Sequence, residues 1–345
     1  MRGILMNVRS QNAPLTGVQR YVQEMCGQLK ERVRRVAPRR ALLGIAGHLW
    51  EQSILPGMVN DDLLWSPANT GPLRVANQVV TIHDVATLDH PEWFSAKFAH
   101  WYKWLTPRLV NRVRCVITVS NFSKTRLLET TGVDESRIVV IPNGVNQRFF
   151  PRTGAEIDSV VRRLGVPTSR YLLSLGSIEP RKNIARLLTA WSRCQDQLDD
   201  GISLVVAGAR GMSHIFHDVA MADAPERVHF IGFVPDDCLP ALYSGAIALV
   251  YPSVYEGFGL PVAEAMAAGS VAIVSDCTAL PEVVGGAGVT IDPFDVEELA
   301  HALVTICRDE ALRNNLREQA IRESARFSWE RAAQLTLAVL EQSAG

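Results

Sequence analysis

Long apolar runs are missing from this 345-residue chain. No stretch approaches the ~18 consecutive apolar residues of a spanning helix, so no membrane span is expected. Near the start only residues 4–6 are apolar, which is too little for a secretory leader, and none is expected. Paired cysteines are missing too. Cys26, Cys115, Cys194, Cys238, Cys277 and Cys307 are scattered without a CxxC or metal-like spacing. They read as reduced, buried thiols of a cytoplasmic protein. No GxGxxG follows the first apolar run, which argues against a nicotinamide-dependent dehydrogenase. No Asp-x-Asp stands near a predicted strand end, so no metal-bridged diphosphate is expected. No solenoid period and no recognised nucleic-acid motif occur, so nucleic acid is not an expected partner.

What is present is an ordinary globular composition, 47% hydrophobic and 21% charged. The length suits two domains. A net charge of −1 hides an asymmetry. Residues 1–170 carry 23 Lys and Arg against 13 Asp and Glu, and the remainder carries 12 against 23. A basic half joined to an acidic half suggests that the first domain meets an anionic surface.

Short apolar runs alternate with helical periodicity through both halves. The spacing predicts strands at 3–8, 78–82, 116–120 and 138–141, then at 171–176, 204–207, 228–231, 246–251 and 271–275. Helices are predicted from Thr16 to about Val36, over 95–114, from Ile184, and over 296–307, 311–327 and 329–343. Alternating βα units of this kind give an α/β protein with two doubly wound, Rossmann-like domains.

Residues 251–272, YPSVYEGFGLPVAEAMAAGSVA, form the most informative stretch. It reads as a strand end, a glycine loop, and a helix with Pro261 at its first position and Gly269 just past its end. The loop amides and the helix dipole favour an anion such as a diphosphate. Gly257 and Gly259 let a ligand approach the backbone. Glu264 is placed on the first turn, so Glu256 and Glu264 could face one small volume. The same spacing also fits a plain βα turn whose glutamates are solvated or complement the dipole.

Taken whole, Glu256-x7-Glu264 within EGFGLPVAEAMAAG resembles the signature of family 4 retaining glycosyltransferases, which have the two-domain GT-B fold. The resemblance implies a metal-independent hexosyltransferase with its two domains facing a cleft. Residues 1–150 would form an acceptor-side domain, with 328–345 crossing back to it. Residues 165–327 would form the nucleotide-sugar domain, and IPNGV after Ile141 resembles the crossing between the two. The resemblance implies that Glu256 contacts the donor sugar and that the Gly257, Phe258, Gly259 and Leu260 backbone contacts sugar and diphosphate. It places Glu264 on the nucleotide ribose.

Other segments carry the same resemblance. In GSIEPRKN, Arg181 and Lys182 match the cations that bind the donor diphosphate. By chemistry alone, a guanidinium fork beside an ammonium suits phosphate oxygens, and no structural partner for either is evident in the loop. Ser177 departs from the pattern, because many relatives carry Arg there. Gly17 in TGVQRY resembles the glycine loop beside diphosphate and acceptor. His83, at a strand's end, matches a histidine set against the donor sugar, and Asp84 would orient it or cap the next segment. Phe233 and Val234 resemble a nucleobase pocket, although an apolar pair after a strand equally fits the core.

These segments look most like bacterial mannosyltransferases of surface-polysaccharide assembly. GDP-mannose is therefore the expected donor and a polyprenol-linked or oligosaccharide acceptor the expected partner, with no cofactor beyond the donor. UDP- and dTDP-sugars stay open, as does a nucleotide-sugar epimerase of similar fold. Residues 95–114 pack Phe98, Trp101, Tyr102, Trp104 and Leu105 among Lys97, Lys103, Arg108, Arg112 and Arg114. With the cluster Arg32, Arg34, Arg35, Arg39 and Arg40, this suits peripheral docking on an anionic membrane, at the inner face of the cell membrane.

Overall fold

A computed structural model describes residues 3–12, 16–42, 44–168, 170–208 and 225–345. The chain divides into two compact units, Met1–Gly144 with Phe327–Gly345, and Val145–Arg326.

The first unit holds a six-stranded parallel sheet: β1 (Ile4–Asn7), β2 (Arg34–Val36), β3 (Leu63–Ser66), β4 (Gln78–Ile82), β5 (Cys115–Thr118) and β6 (Ile138–Val140). Their order is β2-β1-β3-β4-β5-β6, with Leu5 opposite both Arg34 and Leu64 and Val80 opposite Val116. Runs such as VVTI are apolar on both faces because a parallel sheet is covered by helices on both sides. Val80, Ile82, Val116 and Leu127 meet Leu105 and Leu109 of the helix Ala96–Val110 in one core. Leu5, Leu64, Trp50 and Leu55 form a second.

The predicted first helix is too long. It spans Gly17–Gln28, and Arg34–Val36 is an edge strand instead. Leu29 closes the helix through its N–H to the Met25 carbonyl. Val33, just before the edge strand, and Val36 at its end are both buried, each under 10% exposed. Arg34 pairs with Asp62, and Arg35 donates to the Cys26 carbonyl of the helix's last turn, one of its orphan acceptors. β3 and the helices Gly44–Ser53 and Pro56–Val59 were not anticipated.

The second unit holds β7 (Tyr171–Leu175), β8 (Ser203–Ala207), β9 (Val228–Gly232), β10 (Ala248–Tyr251), β11 (Val271–Ser275) and β12 (Val289–Ile291). They are all parallel, in the order β12-β11-β10-β7-β8-β9. Trp191 and Leu187 of the helix Ile184–Cys194 pack with Leu204, Ile273 and Leu303 in its core. The order reverses between β7 and β10, so the two loops leaving their carboxyl ends flank the crevice where such sheets bind ligands. In the first unit the corresponding reversal lies between β1 and β3.

The terminal helix Trp329–Ala344 belongs to the first unit, where Trp329 stacks edge-on against Tyr21. Gly144 lies hard against it: a Cβ there would stand 2.1 Å from the Trp329 nitrogen. The chain therefore leaves and re-enters the first unit at one point.

Candidate functional site

The crevice of the second unit is built by the loops after β7 and β10. A backbone hydrogen bond ties them, Val254 N–H donating to the Arg181 carbonyl at 2.8 Å. After β7 the chain passes Gly176 at φ 153°, where the Lys182 stem lies 3.3 Å from the position a Cβ would take. A single 3-10 turn, Pro180–Lys182, then presents both cations, and Asn183 at φ 59° opens the helix Ile184–Cys194. After β10, Glu256 precedes Gly257, Phe258 and Gly259. Gly259 caps the helix Leu260–Ala267 at φ 104°, a conformation open to glycine at little cost.

Arg181, Lys182 and Glu256 meet. Lys182 Nζ donates to Glu256 Oε1 and to the Tyr251 hydroxyl, and Arg181 Nη1 stands 3.4 Å from the same Oε1. Arg181 Nε is also 2.9 Å from Glu179 Oε2. The expectation that the two cations lack structural partners is thereby overturned. Lys182 and Glu256 are 7% and 8% exposed, so neither charge can be satisfied by water and each needs the other. Burial, helped by Arg181, pulls the Lys182 ammonium down to about 8 despite Glu256. Burial pushes the Glu256 carboxyl upward, but Lys182 and Arg181 outweigh it and hold it below its ordinary value. The site thus keeps an ionised carboxylate and a labile ammonium side by side, beneath a helix N-terminus that favours anions.

The other expected residues of this unit fall as follows. The helix begins at Leu260, so Glu264 is its fifth residue and lies past the first turn, not within it. Its buried carboxylate is 3.4 Å from the Tyr243 hydroxyl. Phe258 and Leu260 are buried, Val234 is buried, and Phe233 is 68% exposed on the loop after β9.

Gly17, His83 and Asp84 belong to the first unit. Gly17 begins the helix Gly17–Gln28. His83 follows β4, with its ring edge-on to Tyr21 at 4.6 Å and Nε2 2.9 Å from the Pro67 carbonyl. A carbonyl only accepts, so Nε2 carries the proton. Burial lowers the His83 pKa against the opposing pull of Pro67 and Asp84, which favours the neutral ring. Asp84 caps the next segment, Oδ1 accepting the Ala86 N–H at 3.1 Å.

Sequence reasoning missed two groups. Tyr251 was read only as a strand end, although its hydroxyl and ring both touch Lys182. At the reversal of the first sheet, fully buried Glu51 accepts from Asn7 at 2.7 Å and Thr70 at 2.6 Å, with Arg9 Nε 3.5 Å away. The only signal was a single acidic residue, Glu51, in the helix Gly44–Ser53.

Comparison with known proteins identifies the family and the fold. The model of "Glycosyl transferases group 1" matches residues 159–323, and that of "Glycosyltransferase Family 4" matches residues 59–149. The O-antigen chain mannosyltransferase B of Escherichia coli is 31% identical over 77% of this chain and 70% of its own length. The O-antigen chain mannosyltransferase RfbU of Salmonella typhimurium is 30% identical over 72% of this chain and 65% of its own. Anabaena Alr3699/HepE in complex with UDP and glucose shares the fold at a TM-score of 0.79 and 20% identity, over 99% of this chain and all of that one. WaaG, a glycosyltransferase involved in lipopolysaccharide biosynthesis, does so at 0.78 and 16%, over 98% of this chain and 99% of that one. The chain belongs to the family 4 glycosyltransferases, with the GT-B fold of two Rossmann-like units.

Proposed function

We propose that this glycosyltransferase moves mannose from GDP-mannose onto a lipid-linked or oligosaccharide acceptor of bacterial surface polysaccharide, with retention of anomeric configuration. The observation that carries the reading is the convergence of Arg181, Lys182 and Glu256 at the β7/β10 reversal. The two O-antigen mannosyltransferase relatives favour mannose, and they support transfer over epimerisation.

In this reading the acceptor oxygen attacks the anomeric carbon from the face the diphosphate leaves. The carbon–oxygen bond to the phosphate breaks, and the acceptor proton passes to the departing phosphate. Arg181, Lys182 and the amides around Gly259 stabilise the charge that develops there without a metal. Glu256 accepts hydrogen bonds from sugar hydroxyls, Glu264 from the ribose, and Phe233 and Val234 border the base. Neutral His83 offers a polar ring edge without adding charge.

The acceptor reading includes peripheral docking on an anionic membrane through the first unit. Ile45, Leu49, Ile54, Met58, Phe98 and Trp104 are each more than 40% exposed, the last two beside Lys97, Lys103 and Arg108 in the sequence. The helix Ala96–Val110 contributes less than its sequence suggests: Leu105 is core and Trp101 packs against that core. Arg32 and Arg34 are engaged by Glu341 and Asp62, and Arg35 by a backbone carbonyl. No helix among the described residues is long and apolar enough to cross a membrane.

The test is to incubate the protein with GDP-mannose, UDP-glucose, UDP-N-acetylglucosamine or dTDP-rhamnose and a synthetic polyprenol-diphosphate sugar. The anomeric configuration of any product is then read by NMR. An α-mannoside from GDP-mannose is expected. Turnover of another donor alone refutes the choice of donor, and an inverted product refutes the mechanism.

A further inference from the structure

Tyr251 ends β10 and is 2% exposed. Its hydroxyl accepts from Lys182 Nζ, which also stands 4.7 Å from the ring centroid, within the range of a cation–π contact. Burial, and then the nearby Glu256 carboxylate, push the phenol's pKa well above 10, so it keeps its proton. Ammonium, phenol and carboxylate therefore close a triangle. Lys182 Nζ donates to both the Tyr251 hydroxyl and Glu256 Oε1, which sets the phenol beside the carboxylate.

On the donor-diphosphate reading given above, this triangle must open. An ammonium drawn to phosphate oxygens gives up Glu256. The remaining charged partner, Arg181, is 3.4 Å away and shared with Glu179. A buried carboxylate left without a partner is costly. The phenol is the one neutral donor of the triangle, and its O–H can turn to Glu256 when the ammonium leaves. Its ring still faces the space Lys182 sweeps.

We propose that Tyr251 is a positioning residue that holds Lys182 and Glu256 in register and keeps Glu256 partnered when Lys182 turns to the donor diphosphate. This role rests on the reading of Arg181 and Lys182 as diphosphate cations, and it adds a residue to which no function has been given. The groups facing the triangle are Glu179 and Arg181 from the loop after β7 and Ser253 from the loop after β10.

Tyr251→Phe keeps the ring and removes the hydroxyl. Calorimetry with free GDP and with free UDP, and kcat and KM from about pH 6 to about pH 10, read the outcome. The variant binds the preferred nucleoside diphosphate roughly tenfold more weakly, in keeping with a lost hydrogen bond to charged groups. Its donor KM rises more than its kcat falls. The alkaline limb, which in the parent protein follows Lys182 near its value of about 8, moves to lower pH because the ammonium has lost an acceptor. Equal binding overturns the proposal. Weaker binding with an unmoved alkaline limb overturns it as well, since a purely structural phenol would act in that way. A parent protein that binds neither GDP nor UDP and transfers no sugar refutes the donor reading itself, a failure distinct from that of Tyr251.

Discussion

Glu256→Gln changes one charge at nearly constant volume, so its consequence can be worked from the site. In the parent protein Lys182 Nζ and Arg181 Nη1 share Glu256 Oε1. After the substitution Arg181 still has Glu179 at 2.9 Å, whereas Lys182 keeps only neutral partners. Removing one member of a buried pair costs about 3–5 kcal/mol when the other stays charged. The orphaned ammonium can release its proton, however, which at about pH 7 limits the cost to about 1.4 kcal/mol for a parent value of about 8. For a unit the size of Val145–Arg326, that corresponds to a fall in Tm of roughly 3–6 °C near neutral pH.

The pH dependence is the sharper part. Folding depresses the Lys182 pKa from 10.5 to about 8. Between those values the unfolded chain holds a proton the folded chain has lost, and stability rises with pH. In the variant the folded value falls further, so the extra cost accrues below about pH 8 and fades above it. Thermal melts of both proteins at about pH 7 and about pH 9.5 test this. The Tm difference should be large at the lower pH and much smaller at the higher. A difference that does not change with pH, or a stabilised variant, refutes the coupling.

Lys182→Met should abolish transfer and lower Tm together, because it leaves Glu256 buried beside a shared Arg181; near-normal turnover would mean the diphosphate is held elsewhere. Glu264→Gln should weaken nucleoside diphosphate binding in calorimetry by about 1.5–3 kcal/mol, the worth of a charge-assisted hydrogen bond, and unchanged affinity sinks the ribose role. Gly259→Ala should cost about 1–3 kcal/mol in denaturant melts, since φ is 104° and the new methyl meets Leu280 Cδ2 at 2.7 Å; a neutral result would show that the loop relaxes freely. Sedimentation with anionic vesicles should show binding that falls with salt and with Leu49→Ser plus Trp104→Ser, whereas equal binding to neutral vesicles removes the electrostatic reading.

The sequence disclosed most strands in which a short apolar run stood between breakers, as at Val271–Ser275, but not Val289–Ile291. It was less legible where packing overruled pattern. Arg34–Val36 reads as a continuation of a helix until β1 is available to pair with it. Leu63–Ser66 is a short apolar run without periodicity, so its place beside β1 is a tertiary fact. The motif residues could be named singly, but not their meeting. Arg181 and Glu256 are 75 positions apart, and only the adjacency of β7 and β10 brings them together. The same adjacency explains why Tyr251 escaped notice. A strand-end tyrosine gains meaning only from the lysine delivered by the neighbouring strand.

The contact of Gly144 with Trp329 carries a consequence for biosynthesis. The first unit emerges from the ribosome early, yet Tyr21 in its core waits for Trp329 as a neighbour. The continuous segment Val145–Arg326 must be synthesised before that partner exists. Domains usually fold in the order they are made, but here the second unit can close while the first still lacks its last helix. Until then, Tyr21 and the surface under that helix remain open to solvent, and a chain stalled after Arg326 would present them to chaperones.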